Sequence, residues 1–297
     1  MDSEPKKYRS ISSIVTAKTT LEGDGFLVHR PFPNYETRDC DPFLLLDEMG
    51  PITLEKGEAK GASPHPHRGF ETVTYLIDGC FEHKDSRGHS GTLQPGDVQW
   101  MTAGSGVVHS EMPEKEFIKK GGKLHGFQLW VNLPKKDKMI EPRYQEIPSK
   151  AIPFATSNDG KVSVKVIAGE SMGKNSVIET KIPITYLHFI IQPGGKFSQK
   201  IPIDYNSFAY VSDGEGLFGL EKNIVRKEQA VFFERDGDEI VIENDSVSKS
   251  PLNFLLLGGM PIGEPVARYG PFVMNTDEEV QLAVKDYQTG KMGKIDF

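Results

Sequence analysis

Cysteine is scarce in this chain of 297 residues, and long apolar runs and excess positive charge are absent. Its two cysteines, Cys40 and Cys80, are too few for a disulfide framework, and no Cys-x-x-Cys redox pattern contains them. No apolar run approaches the ~20 residues that a membrane helix needs. A net charge of -7 provides no overall basic field for nucleic acid or an anionic membrane. These absences argue against a disulfide-rich secreted protein, a membrane protein and a direct nucleic-acid binder.

The amino terminus is polar and lacks the apolar core of a secretion signal. We therefore expect a soluble, cytoplasmic protein, and the low cysteine content fits a reducing compartment. The length allows two domains of common size, each with its own core.

Glycine and proline are plentiful, at 30 and 20 residues, and they separate short β-branched or aromatic runs. This pattern is typical of an all-β fold built of sandwiches or barrels. Residues 134–153, rich in Lys, Glu and Pro, suggest an interdomain crossing, and a second β unit with a similar order of runs follows it. We predict an internal duplication: an amino-terminal domain at 1–147 that carries a metal site and a carboxy-terminal domain at 148–297. One short helix is predicted at the end of the second domain. Capping and acidic residues at 275–279 begin it, apolar residues follow at helical spacing, and Gly290 ends it.

Two short stretches carry the chemistry. Side chains two residues apart on a strand share a face, so His65 and His67 project together, as do His109 and Glu111. If the two strands pair, three imidazoles and one carboxylate converge on a mononuclear metal site. The alternative is that these are ordinary polar residues on exposed strands, since His-x-His is common by chance.

The donor set suits a divalent first-row metal such as iron, manganese, nickel, copper or zinc, and lacks the thiolates of a structural zinc site. Four protein ligands on a metal that accepts six leave positions for a substrate oxygen and for dioxygen. Glu111 is the only acid in this predicted shell, so we assign it both as a ligand and as a general base.

Other polar residues have weaker functional interpretations. Arg68 and Glu71 either line the site or form a pair that supports the metal loop. His125 is predicted to be an exposed turn residue rather than a pocket residue. Gln128 and Trp130 alternate on one strand and are predicted to be core or pocket wall.

The second unit has no equivalent pair of ligands. Its single histidine, His188, lies alone in an apolar strand, and the turn at 192–195 leads into residues 196–200, which contain no histidine. We interpret His188 as a satisfied core or surface residue and predict that the second domain is free of metal.

Several motifs resemble a known family. The His-x-His and Gly-x-x-His features look like a cupin double-stranded β-helix, although Pro113 stands where the usual second cupin motif has Asn. More specifically, several stretches closely resemble the pirin family. They are DPFLLLDE from Asp41, HPHRGFETVTYL from His65, GDVQWMTAG from Gly96, HSEMP from His109, LWVNL from Leu129 and YGPFVMNT from Tyr269. This resemblance covers nearly the whole chain.

Membership of that family implies two tandem cupin barrels with one Fe²⁺ site in the first, its ligands falling on His65, His67, His109 and Glu111. It implies quercetin 2,3-dioxygenase activity, with a flavonol and O₂ as substrates. The alternative that it implies is a nuclear, redox-sensitive co-regulator with a transcription-factor partner. A metal-binding scaffold without turnover is a third hypothesis, and we expect a monomer.

Overall fold

The computed structural model describes residues 6–34, 37 and 40–296. Strands dominate it, so the all-β prediction is confirmed. In chain order the strands are β1 (Lys6–Tyr8), β2 (Ile11–Thr16), β3 (Lys18–Glu22), β4 (Phe26–Phe32), β5 (Phe43–Leu54), β6 (Ala62–His67), β7 (Phe70–Asp78), β8 (Phe81–Asp85), β9 (Ser90–Leu93), β10 (Val98–Thr102), β11 (Val107–Pro113), β12 (Gly122–Asn132), β13 (Arg143–Ile147), β14 (Phe154–Thr156), β15 (Val162–Ala168), β16 (Glu170–Ser171), β17 (Lys174–Asn175), β18 (Ile184–Ile191), β19 (Lys196–Lys200), β20 (Asn206–Asp213), β21 (Glu215–Phe218), β22 (Asn223–Arg226), β23 (Gln229–Phe233), β24 (Gly237–Glu243), β25 (Leu252–Gly259), β26 (Ala267–Tyr269) and β27 (Phe272–Met274). The α-helices are α1 (Lys115–Lys120) and α2 (Asp277–Gln288), and short 3₁₀ turns lie at Lys135–Asp137 and Ser149–Ala151.

The chain forms two compact units. One, called the first barrel, contains residues 19–33, 43–149 and the segment from 262 onward. The other, called the second barrel, contains the described parts of residues 1–18 and 34–42 together with residues 150–261. None of the helices in the described residues is long and apolar enough to span a bilayer.

Each barrel is built from two facing sheets with the same internal order. In the first barrel these are β13-β10-β7-β12-β5-β4-β3 and β6-β11-β8-β9. In the second they are β14-β15-β18-β25-β20-β23-β2 and β1-β24-β21-β22, with β19 paired to β24. Strands β5 to β12 thus correspond one by one to strands β18 to β25, which confirms the predicted duplication.

The two compact units are not two consecutive halves of the chain divided between residues 147 and 148, as the sequence predicted. The chain does pass from the first barrel to the second near that point, at 149/150. However, β2 pairs with β23 and β1 pairs with β24, so the amino-terminal strands complete the second barrel. The segment from 262 onward belongs to the first barrel. The physical reason is that an edge strand needs a partner, and a sequence pattern predicts a strand without predicting which sheet edge it joins.

The carboxy-terminal helix predicted from the sequence is α2. Thr276 caps it, and Glu279 reaches back to the cap backbone, which makes a capping box. Val280 and Ala283 are buried on one face, and the helix packs against β26 and β27 of the first barrel. The short helix α1, which Glu114 caps, was not predicted.

The interiors of the two barrels differ in polarity. The second barrel is filled by a large apolar cluster that includes Val164, Phe189, Ile242 and Phe254. Alternation produces it, because every second residue of a strand such as β15 faces inward. The first barrel buries several histidines and acids among its apolar residues, so its interior can position polar chemistry.

Candidate metal centre

Strands β6 and β11 place three histidines together. They pair antiparallel, with His109 directly opposite His65 and Val107 opposite His67. The ligand-type atoms of His65, His67 and His109 all lie within 4.8 Å of one another. The Nε2 atoms of His65 and His67 are 3.1 Å apart. The structure thus brings together three of the four predicted ligands in a group that could hold a metal ion.

The hydrogen-bonding pattern of these rings leaves nitrogen atoms available to bind a metal ion. His109 is fully buried, and neither of its ring nitrogens has a hydrogen-bond partner. An unpaired buried polar group costs free energy, and a metal bond to one nitrogen would remove part of that cost. The Nδ1–H of His65 donates to the carbonyl of Ser63 at 2.8 Å, an arrangement that leaves Nε2 to bind a metal.

The lowered pKa values of two of these histidines also favour metal binding, because they keep the rings unprotonated. Burial lowers the pKa of His67 well below its ordinary value, and the neighbouring imidazoles of His109 and His65 lower it further. Burial likewise lowers the pKa of His109, again with repulsion from His65. Because neutral imidazole is the form that binds metals, both rings are ready to act as ligands at neutral pH.

Glu111 is placed differently from the histidines. The register between β6 and β11 shifts between His109 and Glu111, with the extra residue in β6, whereas β11 pairs with β8 without interruption there. The carboxylate of Glu111 accepts hydrogen bonds from Thr74 Oγ1 at 2.9 Å and from Gln128 Nε2 at 3.0 Å. Glu111 lies outside the group of mutually close ligand atoms but lines the same cavity as two of the histidines.

His65 and His67 line a cavity of about 580 Å³. This volume is in the range of small-molecule sites. The cavity is lined by strands β3, β4, β5, β6, β11 and β12 and by the segment from residue 262 onward. The lining residues are Glu22, Gly23, Asp24, Phe26, Val28, Arg30, Leu45, Asp47, Met49, Ala62, Ser63, Pro64, His65, His67, Glu111, Gln128, Trp130, Arg268, Gly270 and Pro271.

The wall holds two arginines that the sequence analysis did not single out. Arg30 binds both oxygens of Asp47, at 2.7 and 2.6 Å, and Glu22 at 2.6 Å. Burial raises the pKa of Asp47 while the arginine opposes that shift. Arg268 lies over the ring of Trp130, 4.8 Å from its centroid. No short-range sequence signal places either arginine beside the histidines, because they are far from them along the chain.

Two predictions about supporting residues are wrong. Arg68 does not pair with Glu71: its guanidinium donates to the carbonyl of Ser105 and to Asp286, and Thr102 donates to Glu71 at 2.6 Å. His125 is buried rather than exposed, and its Nε2 lies 2.8 Å from Glu48.

Two other predictions about polar residues are confirmed. Gln128 and Trp130 line the cavity as expected of pocket wall. His188 of the second barrel is buried and its Nε2 lies 2.7 Å from Asn253 Oδ1, which confirms a satisfied core histidine.

Comparison with known proteins identifies the family. The pirin family model matches residues 25–131, and the model of the pirin C-terminal cupin domain matches residues 186–293. A pirin-like protein of Solanum lycopersicum is 47% identical over 293 residues, which cover 99% of this chain and 96% of that protein. The chain belongs to the pirin family. Human pirin is 43% identical over 290 residues, which cover 96% of this chain and 94% of the human protein.

The pirin fold is also found in a solved structure. A quercetin 2,3-dioxygenase from Acinetobacter baumannii superposes with a TM-score of 0.90 at 35% identity, covering 97% of this chain and 99% of that one. The predicted family and the fold of two cupin domains are therefore confirmed. In this pirin-family chain the first cupin barrel carries the histidine group.

Proposed function

We propose that this protein is an iron-dependent dioxygenase of the quercetin 2,3-dioxygenase type, which cleaves a flavonol with O₂. The observation that carries the proposal is a group of three mutually close histidines, two of which, His65 and His67, line a cavity that Glu111 also lines. The similarity to a solved quercetin 2,3-dioxygenase supports the substrate class.

The donor set fits a divalent first-row ion, and we propose that His65, His67 and His109 hold it with Glu111 as fourth ligand. Bound Fe²⁺ would supply the redox chemistry that dioxygen needs. The histidines need not lose protons to bind, because burial keeps two of them neutral.

Glu111 has a second proposed role, as general base. The 3-hydroxyl proton of a flavonol must leave before the ring is electron-rich enough to react with dioxygen, and the carboxylate of Glu111 takes it. Thr74 and Gln128 hold that carboxylate in the cavity wall, which fixes its direction. By likeness to quercetinases, the ring then opens and carbon monoxide is lost.

Oxygen uptake tests the proposal directly. Iron-loaded protein mixed with quercetin should consume O₂ and release carbon monoxide, whereas protein without iron should not. The double variant His65→Ala/His67→Ala is the matched control, because it removes two proposed ligands and leaves the other residues of the cavity lining.

The alternative functions make a different prediction. If the iron-loaded parent consumes no oxygen with any flavonol, the dioxygenase proposal fails. Capture of a transcription factor from nuclear extract would then support the co-regulator, and its absence would leave a metal-binding scaffold.

A further inference from the structure

A small recess adjoins the main cavity beside Glu111. Its volume is about 20 Å³, and Glu111 and Gln128 line both the recess and the main cavity. This volume exceeds the roughly 10–15 Å³ that one water-sized molecule needs. The recess therefore has room for one very small molecule and none for the ring system of a flavonol.

Most of the wall of the recess is apolar. Four of its lining residues carry only carbon or thioether side chains, namely Phe26, Met49, Ala62 and Phe81. Phe81 also belongs to a buried apolar cluster of the first barrel, so the recess reaches the edge of that core. Ala62 lies directly opposite Glu111 in the pairing of β6 with β11, and directly opposite residues project from the same face of a sheet.

The polar lining residues are hydrogen-bonded to one another. Thr74 Oγ1 donates to one oxygen of Glu111 at 2.9 Å, and Gln128 Nε2 donates to the other at 3.0 Å. A buried water molecule typically makes about three hydrogen bonds, and these two donating groups are already engaged with the carboxylate. An apolar wall and engaged donors together favour a small apolar molecule over water.

Dioxygen meets both requirements. It is a diatomic molecule without charge or dipole moment, and it is more soluble in hydrocarbon than in water. We propose that the recess is the binding site for dioxygen, next to the carboxylate that takes the 3-hydroxyl proton of the flavonol. This inference rests on the proposed function, because it gives the second substrate of that reaction a place of its own. It adds that Ala62 determines the affinity for dioxygen separately from that for the flavonol.

The opposing interpretation is that the recess is only a gap in the packing between the core and the cavity wall, holding a water molecule or nothing. In that case dioxygen would be no more concentrated there than elsewhere in the protein. Dioxygen is paramagnetic and speeds the relaxation of nearby nuclei, so methyl groups in the wall of the recess distinguish the two interpretations.

Methyl relaxation under oxygen pressure tests the proposal without turnover. The protein carries zinc in place of iron, because zinc is diamagnetic, and its Met and Leu methyl groups are labelled with carbon-13. Met49 lines the recess, whereas Leu45 lines the main cavity but not the recess, and Met101 is buried and lines neither. Oxygen should raise the relaxation rate of the Met49 methyl more than those of Leu45 and Met101. Ala62→Val should abolish this excess, and Ala59→Val should keep it.

Steady-state kinetics of the iron-loaded protein give a second readout. Ala62→Val adds two methyl groups to the wall of the recess, and valine suits a strand, so the variant should fold. It should raise the KM for O₂ about 5- to 100-fold, the range that overpacking a small space implies, and change the KM for quercetin by less than about twofold. Ala59→Val makes the same change in the loop before β6, outside both linings, and should alter neither constant. Metal content and thermal melting are measured for every variant.

The inference is overturned if oxygen relaxes the Met49 methyl no faster than that of Leu45, if Ala62→Val keeps the parent KM for O₂, or if it raises both Michaelis constants equally. Failure of the proposed function looks different. Enhanced relaxation of Met49 in a protein that consumes no oxygen with any flavonol would keep the oxygen site and reject the dioxygenase. Oxygen uptake without that enhancement would do the reverse.

Discussion

Thr74 and Gln128 each donate one hydrogen bond to the carboxylate of Glu111, one to each oxygen. These two neutral donors come from the paired strands β7 and β12. An acid held in this way points in a fixed direction and still has lone pairs with which to accept a proton.

Glu111→Gln should lower turnover by about 100- to 10,000-fold, because the amide keeps the size of the side chain but cannot act as a base. The measurement is steady-state oxygen uptake with quercetin, with iron determined in the same sample. Glu116→Gln, which changes an exposed acid on α1, is the control and should have no effect. Parent-level turnover by Glu111→Gln with its iron retained would show that Glu111 is not the base.

The lowered pKa values of His67 and His109 predict how acid affects the metal-free protein. In the folded state both rings stay neutral below pH 6.5, whereas in the unfolded state they bind protons there. The unfolded state then holds more protons, so the free energy of unfolding should fall as the pH drops below about 6.5. Urea titrations of chelator-treated protein between pH 5 and 8 measure this, and the double variant His67→Gln/His109→Gln should show a weaker slope.

Lys138 is a buried ammonium with three oxygen acceptors. Its Nζ donates to the carbonyl of Gly69 at 2.8 Å, to Asn132 Oδ1 at 2.6 Å and to the carbonyl of Val273 at 3.0 Å. Gly69 lies just after β6, the strand that carries His65 and His67, so this lysine joins the loop after β6 to β27. Burial lowers the pKa of Lys138 to about 8.

Lys138→Met should destabilise the protein by about 2–4 kcal/mol, because it leaves buried oxygen acceptors without donors. The pH dependence has a defined sign. Between pH 8 and 10.5 the unfolded chain keeps a proton that the folded one has lost, so the parent gains stability relative to Lys138→Met as the pH rises, by up to about 1.4 kcal/mol per pH unit. Urea unfolding of both proteins at pH 7.5 and 9.5 tests this, and a difference that is constant with pH would contradict it.

The histidines could be predicted from the sequence because their geometry is local. Two residues of one strand share a face whatever the rest of the chain does, and that rule places His65 beside His67. The rule alone does not set the distance of Glu111 from the histidines of β6, because that distance depends on the pairing of β11 with β6, whose register shifts between His109 and Glu111. It also could not place Arg268, whose position depends on a chain segment some 200 residues further along.

At the scale of elements, the segment from residue 262 onward is hydrogen-bonded to the loop that follows β6. The backbone of Arg68 pairs with that segment, since Val273 N donates to its carbonyl at 3.0 Å. Its side chain reaches α2, where it contacts Asp286 at 3.0 Å. A hydrogen bond from Lys291, and then Arg68, hold the pKa of Asp286 below its ordinary value. Because Arg68 follows His67 directly, α2 helps to fix one of the proposed ligands.

Asp286→Ala should lower the free energy of unfolding by about 1.5–3 kcal/mol, the range for hydrogen bonds to charged groups. It should also weaken metal binding, because the loop after His67 loses one anchor. Thermal unfolding of metal-free protein and a zinc titration measure the two effects. Gln288→Ala, an exposed change on the same helix, is the control, and an unchanged zinc affinity in Asp286→Ala would separate the helix from the metal site.

The helix with strong local signals was predicted, and the weakly marked helix was not. Helix α2 was found from its capping residues and its closing glycine. In contrast, α1 has only six residues and no buried face, and β19 and β22 are short strands without a clear alternation of apolar residues. Propensity is too weak in such segments, so pairing with neighbouring strands decides their structure.

At the scale of the whole molecule, duplication has produced one polar and one apolar barrel. Strand β19 corresponds to the metal strand β6, yet it carries Lys, Phe, Ser and Gln, and the interior behind it is the apolar cluster of the second barrel. The duplication could be predicted from the repeated order of apolar runs and turns. The exchange of the terminal segments could not, because it depends on pairing between residues more than 200 positions apart, such as Ile11 with Phe233.

We expect about one metal ion per chain, and we expect His65→Ala/His67→Ala to abolish binding without unfolding the second barrel. Two ligands cannot hold a first-row ion stably, whereas the apolar core at residues 162–256 keeps all its contacts. Elemental analysis gives the stoichiometry, and hydrogen exchange of amides in β18 and β25 reports on the second barrel. Two metals per chain, or full occupancy in the double variant, would contradict the expectation.

The exchange of terminal segments also sets an order of events during protein synthesis. On the ribosome the strands of the first barrel emerge early, but residues 262–296, which fasten its metal loop, are translated only after those of the second barrel. The second barrel needs β2, which is translated before the strands of the first barrel, and it has all its strands once residue 259 has emerged. The first barrel, most of whose strands are translated before those of the second, is therefore finished last. The loop that follows β6 can be fastened only after residues 262–296 have emerged.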